Sequence, residues 1–225
     1  MPLLREPLFY IFFIYGTSFL VMSYVVFHGI RKATSITLVK TFYALVIFGV
    51  LHGAAELTDW VRFIIHASGG GEVKALYYLS PALMFVSFVV LTQFGINLLT
   101  YKSGKKNILQ LIPSVLVIAY ICVIIAAKVR DVMAEALIAR NGFGTFGALL
   151  SGVALLGLAR SMKALGNKRL ETGLAVSAAG FMLYAVFGGI IVNPVAGLPV
   201  QLFRAACALT IAASSFYILD VFKAG

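Results

Sequence analysis

Residues 48–60, FGVLHGAAELTDW, bring together the side chains best equipped for chemistry in an otherwise apolar run. On a helix His52 and Glu56 stand four residues apart, as do Glu56 and Trp60, and Asp59 lies three beyond Glu56. All four then share roughly one face. An imidazole one turn from a carboxylate can take up a proton near neutrality or grip a polar ligand. Ionisable groups at membrane depth are costly and turn toward a bundle interior or a wet cavity, so they mark a candidate site. The competing explanation is structural: an ion pair that joins two helices, with Trp60 as an interfacial belt residue.

The elements that must position these groups are membrane helices. The chain is 61% hydrophobic and only 12% charged, with a mean hydropathy of +1.01. A soluble domain carries about twice that charge fraction. Apolar runs of about 20 residues recur along the whole length, which leaves no room for a separate soluble domain. Seven helices are expected, at residues 7–28, 35–59, 75–101, 108–128, 143–160, 170–192 and 200–222. A loop at 62–74 carries Gly69, Gly70 and Gly71, and an amphipathic connector spans 129–140. No internal repeat is evident. Pro7 suits a first helical turn, and Gly29 with Arg31 and Lys32 suits a helix end. Cys122 and Cys207 both lie inside apolar runs, so neither a disulfide framework nor a cysteine metal site is indicated. The first apolar run is long, aromatic-rich and preceded by Arg5 and Glu6, unlike a cleavable signal peptide.

Charge sets the expected orientation. With the N-terminus outside, the cytoplasmic helix ends hold eleven of the eighteen Lys and Arg against two acids, Glu171 and Asp220. The outer ends hold seven basic residues and six acids. That excess is the positive-inside pattern, and it puts the C-terminus in the cytoplasm. The net charge of +10 is therefore a topology signal and a contact with membrane lipid headgroups, not a nucleic-acid footprint.

The first and last polar clusters converge at the outer side. Asn193 precedes the last helix, and Gln201 and Arg204 lie at its start, so Arg204 is the expected partner of Glu56 across a low-dielectric gap. Together with His52, Asp59 and Trp60 they form the candidate ligand-binding set, an outward-facing pocket for a small molecule, a proton or a quinone headgroup. Small residues on helices five (Gly144, Gly147, Ala148, Ser151, Gly152) and six (Gly173, Ser177, Gly180, Gly188, Gly189) permit close packing, within the bundle rather than across a homodimer face.

Three cofactor chemistries are weighed against this set. A b-type haem needs axial ligands facing each other at one depth, but His28 belongs to the cytoplasmic end and His66 to the outer loop. Zinc could draw on His52, Glu56 and Asp59, yet no second histidine-bearing helix completes the site. A retinal Schiff base needs a lysine midway along the last helix, which reads RAACALTIAASSFYILD.

HGAAELTDW resembles the HG-x-x-E-W/D stretch in the second helix of the seven-helix N-terminal membrane modules of bacterial sensor histidine kinases and diguanylate cyclases. GLPVQLFRAACALTIA is similar to the start of the seventh helix in those modules. The resemblance implies a bacterial inner-membrane sensor, not an enzyme, whose seventh helix passes a signal to a cytoplasmic kinase or cyclase domain. That output lies beyond Gly225 or belongs to a partner. The rival expectation is an electron-transfer or transport subunit that binds haem b or quinone.

Overall fold

A computed structural model of the chain describes residues 6–31, 36–101, 108–126 and 131–218, and it is all-helical. The helices are α1 (Pro7–Ile30), α2 (Ile36–Ala67), α3 (Lys74–Thr100), α4 (Ile112–Ala126), α5 (Val132–Ala139), α6 (Thr145–Ala164), α7 (Lys168–Tyr184) and α8 (Val200–Ile218). A π-helical turn, Arg140–Gly144, joins α5 to α6, and another, Ala185–Ile190, extends α7. Among the described residues, seven spans are long and apolar enough to cross a membrane. Three basic positions of the connection between α3 and α4 (Lys102, Lys105 and Lys106) and the expected end of the last helix at 222 lie outside the described residues.

Two expected boundaries are corrected. The second helix does not end near Asp59 but runs on to Ala67, so Arg62 and His66 are helical. The polar residues that read as a loop are satisfied in place, Arg62 bonding Asp59 at 3.1 Å and Glu72 at 2.9 Å. The helix stops at Gly69, whose φ of +77° lets Gly70 N–H reach the Ile65 carbonyl at 2.9 Å. This moves His52 from the outer third of its helix to near the middle of the span Val39–Ala67. The connector is also corrected. From Val132 its described residues are helical, and they continue through the π turn into α6, the span being Ala134–Ala164. A single wide turn admits one extra residue without breaking a helix, and apolar periodicity does not register it.

Helix packing follows a closed circuit. α1 lies against α2 and α8, α2 against α3, α3 against α6, α6 against α7 and α7 against α8. Hydrocarbon supplies no hydrophobic drive between membrane helices, so close backbone approach and interhelical hydrogen bonds must hold them. Both are present. A Cβ at Gly53 would stand 2.8 Å from the Gly16 carbonyl oxygen, so α1 and α2 meet at bare backbone. Ser23 bonds the Val46 carbonyl (3.0 Å), Ser151 bonds the Leu91 carbonyl (3.1 Å) and Ser177 bonds Ser214 (2.5 Å), one clasp each for α1–α2, α6–α3 and α7–α8. The small residues of α6 and α7 are used inside the bundle, Gly152 against Ala178 of α7 and Gly180 against Ile211 of α8. α4 stands outside the circuit beside α3, and only 6% of its apolar window is buried.

Candidate functional site

His52 and Glu56 hold the centre of the bundle. The imidazole is completely buried and Glu56 is 3% exposed. Their i,i+4 spacing on α2 places Nε2 3.7 Å from Oε1. Five aromatic rings wall the imidazole, Tyr15 among them at 6.1 Å. Phe48 stacks on it at 5.2 Å, while Phe19, Phe88 and Tyr184 approach at 4.8, 5.1 and 5.8 Å. α1, α2, α3 and α7 each contribute to this shell.

The polar contacts form a chain with a direction. Ser87 of α3 donates its hydroxyl proton to the Met84 carbonyl at 2.6 Å. Its oxygen therefore accepts from His52 Nδ1 at 2.9 Å. A neutral imidazole with its proton on Nδ1 leaves Nε2 as an acceptor. Tyr184 of α7 then donates to Nε2 across 2.7 Å, and the Tyr184 oxygen accepts from the Tyr15 hydroxyl of α1 across 2.6 Å. Tyr15 also approaches Nε2 directly, at 3.4 Å. Every link runs Tyr15 to Tyr184 to His52 to Ser87 to the Met84 carbonyl. Buried chains of this kind stabilise when complete and are costly when one member is unmatched.

A proton arriving at Nε2 changes the sense of the chain. The imidazolium donates from both nitrogens. Tyr184 must then accept instead of donate and turn its own proton toward Tyr15, unless Nε2 turns to the Glu56 carboxylate. A neutral and a charged imidazole thus call for different orders of donation along the same contacts.

Arg204 is buried on α8 but does not pair with Glu56. Among the described residues the ion pairs within 4.0 Å are His52–Glu56, Arg62–Asp59, Arg62–Glu72 and Lys163–Glu171. Instead Arg204 Nε donates to the Phe187 carbonyl at 2.7 Å and a terminal nitrogen to the Ile191 carbonyl at 3.4 Å. A π turn leaves carbonyls without their usual intrahelical partners, and the flat guanidinium fork can serve two at once. Its charge still acts on Glu56 through space.

The other expected site residues lie elsewhere. Asp59 turns to Arg62 and lines a separate 730 Å³ cavity with Phe12, Phe63, His66 and Glu72. Trp60 packs on Phe9 and Phe13 of α1, at 5.4 and 5.2 Å. Asn193 is exposed in the turn before α8, and Gln201 is half-buried in the first turn of that helix. The structure therefore gathers His52 and Glu56 with Arg204 nearby, and disperses Asp59, Trp60, Asn193 and Gln201. Tyr15, Ser87 and Tyr184 join the site without having been expected. So does Arg140, whose charge reaches Glu56 from the π turn and whose guanidinium donates to the Met84 sulfur at 3.2 Å.

The donor set does not fit a b-type haem. Both ring nitrogens of His52 are engaged, His28 stacks on Tyr24 at the far end of α1, and His66 ends α2. Among the described residues no three His, Cys, Asp or Glu side chains gather as metal ligands. Comparison with family models, with curated proteins and with solved structures finds no match to this chain.

Proposed function

We propose that the protein is a membrane sensory module whose responsive element is the hydrogen-bond chain centred on His52. The observation that carries this is the chain's direction. Tyr15, Tyr184, His52 and Ser87 link α1, α7, α2 and α3, and the order of donation depends on the protonation of one nitrogen. The stimulus is a proton or a small hydrogen-bonding molecule, a quinone headgroup included, that takes a partner from His52 or Glu56.

The route outward runs through Tyr184. Its residue closes α7, the π turn Ala185–Ile190 follows at once, and Arg204 ties that turn to α8. Helix shifts of about 1–2 Å at an interface are a common currency of switching. The excess of Lys and Arg at one set of helix ends supports an outside N-terminus and a cytoplasmic C-terminus. The resemblance of HGAAELTDW and GLPVQLFRAACALTIA to kinase and cyclase sensor modules supports a bacterial inner membrane and a cytoplasmic kinase or cyclase as the recipient of the signal.

Spin labels on Val153→Cys of α6 and Phe216→Cys of α8, both exposed, measure the displacement of α8. In a protein otherwise free of cysteine, the distance should change between alkaline and acidic buffer or on addition of a soluble quinone analogue. It should stay fixed in His52→Gln. A distance insensitive to every such condition leaves a static scaffold. A b-type band in the reduced-minus-oxidised absorption spectrum of the purified protein would favour the electron-transfer subunit instead.

A further inference from the structure

α4 is the one span left out of the helix circuit, and beside it the bundle opens sideways. A cleft of 660 Å³ runs between α2, α3 and α4, within the size range of ligand-holding sites, about 300–1,000 Å³. Its lining is graded along the membrane normal. Lys40 and Tyr43 of α2 lie near the end where that helix begins, and Gln93 of α3 and Ser114 of α4 join them in the polar portion. Val89 and Val117 continue the wall toward the bundle centre.

Lys40 is exposed, and no carboxylate pairs with it among the described residues. A lysine one turn inside a helix end lays its aliphatic stem on apolar wall and lifts its ammonium to the interface. An exposed ammonium, that of Lys40, beside an apolar slot matches the two halves of an anionic phospholipid. A second copy of the chain docked across a two-fold axis here would instead bring two Lys40 ammonium groups together, which like-charge repulsion opposes.

We propose that the α2–α3–α4 cleft is a binding site for one anionic phospholipid, with an acyl chain between α3 and α4 and the headgroup phosphate on Lys40. Basic pockets between membrane helices on the cytoplasmic side hold anionic headgroups by this chemistry. The site is independent of the His52 chain.

The test uses the full chain, purified and equilibrated in mixed micelles with either phosphatidylglycerol or phosphatidylcholine. Native mass spectrometry counts the lipids retained. The wild type should keep one phosphatidylglycerol in preference to phosphatidylcholine. Lys40→Gln should lower that preference about fivefold, the worth of one lysine near an anionic surface. Ile118→Trp, at an exposed position on α4, should fill the slot and cut retention of both lipids, with thermal unfolding unchanged as the control on folding. Equal retention of the two lipids by the wild type would overturn the site. So would retention indifferent to Ile118→Trp, or a disulfide between copies through Val115→Cys that shows α4 already covered.

Discussion

Tyr184 donates its hydroxyl proton to His52 Nε2 across 2.7 Å while its oxygen receives the Tyr15 hydroxyl across 2.6 Å. One phenol thus stands between the imidazole of α2 and Tyr15 of α1, and does so at the residue where α7 gives way to its π turn. The contacts are polar, buried and unshared with solvent, so their strength depends on each partner being present.

Removing members of this chain should therefore have unequal effects. Tyr184→Phe removes the short links to Nε2 and to Tyr15 together and leaves those two only their longer 3.4 Å approach, at a cost of about 1–3 kcal/mol. Tyr15→Phe leaves the short Tyr184–His52 link in place and should cost about 0.5–1.5 kcal/mol. The double variant should lose less than the sum, because the second deletion removes a group the first had orphaned. Thermal unfolding in detergent measures all three. Equal single losses that add would mean the hydroxyls are not coupled.

Arg204 gives a second test of geometry against charge. Its guanidinium serves the Phe187 and Ile191 carbonyls together, which the single ammonium of a lysine cannot do from one position. Arg204→Lys keeps the charge near Glu56 but should still destabilise by about 1–3 kcal/mol, the cost of leaving a buried carbonyl unmatched. A Lys variant as stable as the wild type would show that charge alone matters here.

The outline of this protein is legible in its sequence because bilayer thickness fixes helix length, and seven apolar runs record it directly. His52 and Glu56 are legible too, since i,i+4 spacing on a helix is local geometry. Their partners are not. Tyr15, Ser87 and Tyr184 come from 37, 35 and 132 residues away, and only helix packing brings them together. Asp59 reads as part of the same face, but it is drawn off by Arg62 one turn later, a competition that spacing alone does not resolve. The π turns are invisible to periodicity, and with them the task of Arg204. An arginine at membrane depth announces a partner without saying whether it is a carboxylate or a freed carbonyl.

Close backbone contact between α1 and α2 sets the stage on which His52 sits. Gly53→Ala places a methyl 2.8 Å from the Gly16 carbonyl and must push the helices apart, at about 1–3 kcal/mol. Gly157→Ala meets nothing within 4 Å on α6 and should be neutral or stabilising by up to about 1 kcal/mol. The two alanines, compared by unfolding temperature, separate packing from helix propensity. If Gly53→Ala is silent, α1 and α2 are not held at backbone contact.

Orientation has its own measurement. With Cys122 and Cys207 replaced, Gly71→Cys between α2 and α3 should react with a membrane-impermeant thiol reagent added to intact cells. Leu165→Cys, exposed between α6 and α7 at the opposite end, should react only after permeabilisation. The reverse pattern would place the basic helix ends outside, against the positive-inside rule.

The direction of the chain can be read from a single ring. The sequence has three histidines, so replacing His28 and His66 by Gln leaves His52 as the only source of an imidazole signal. Nitrogen NMR of histidine-labelled protein distinguishes a protonated ring nitrogen from one that bears a lone pair. Because Ser87 gives its proton to Met84, Nδ1 should carry the proton and Nε2 the lone pair. Tyr184→Phe should move the Nε2 resonance toward that of an unbonded nitrogen while leaving Nδ1 in place, and Ser87→Ala should do the opposite. A stimulus that operates the switch should convert Nε2 to a protonated nitrogen in the wild type. It should shift α8 only in proteins that retain Tyr184, since that residue connects the ring to the π turn tied by Arg204. Finding the proton on Nε2 in the resting protein would reverse the links of Tyr184 and Ser87 to the ring and remove Tyr184 as the donor. The route from His52 to α8 would then have to pass through Glu56 instead.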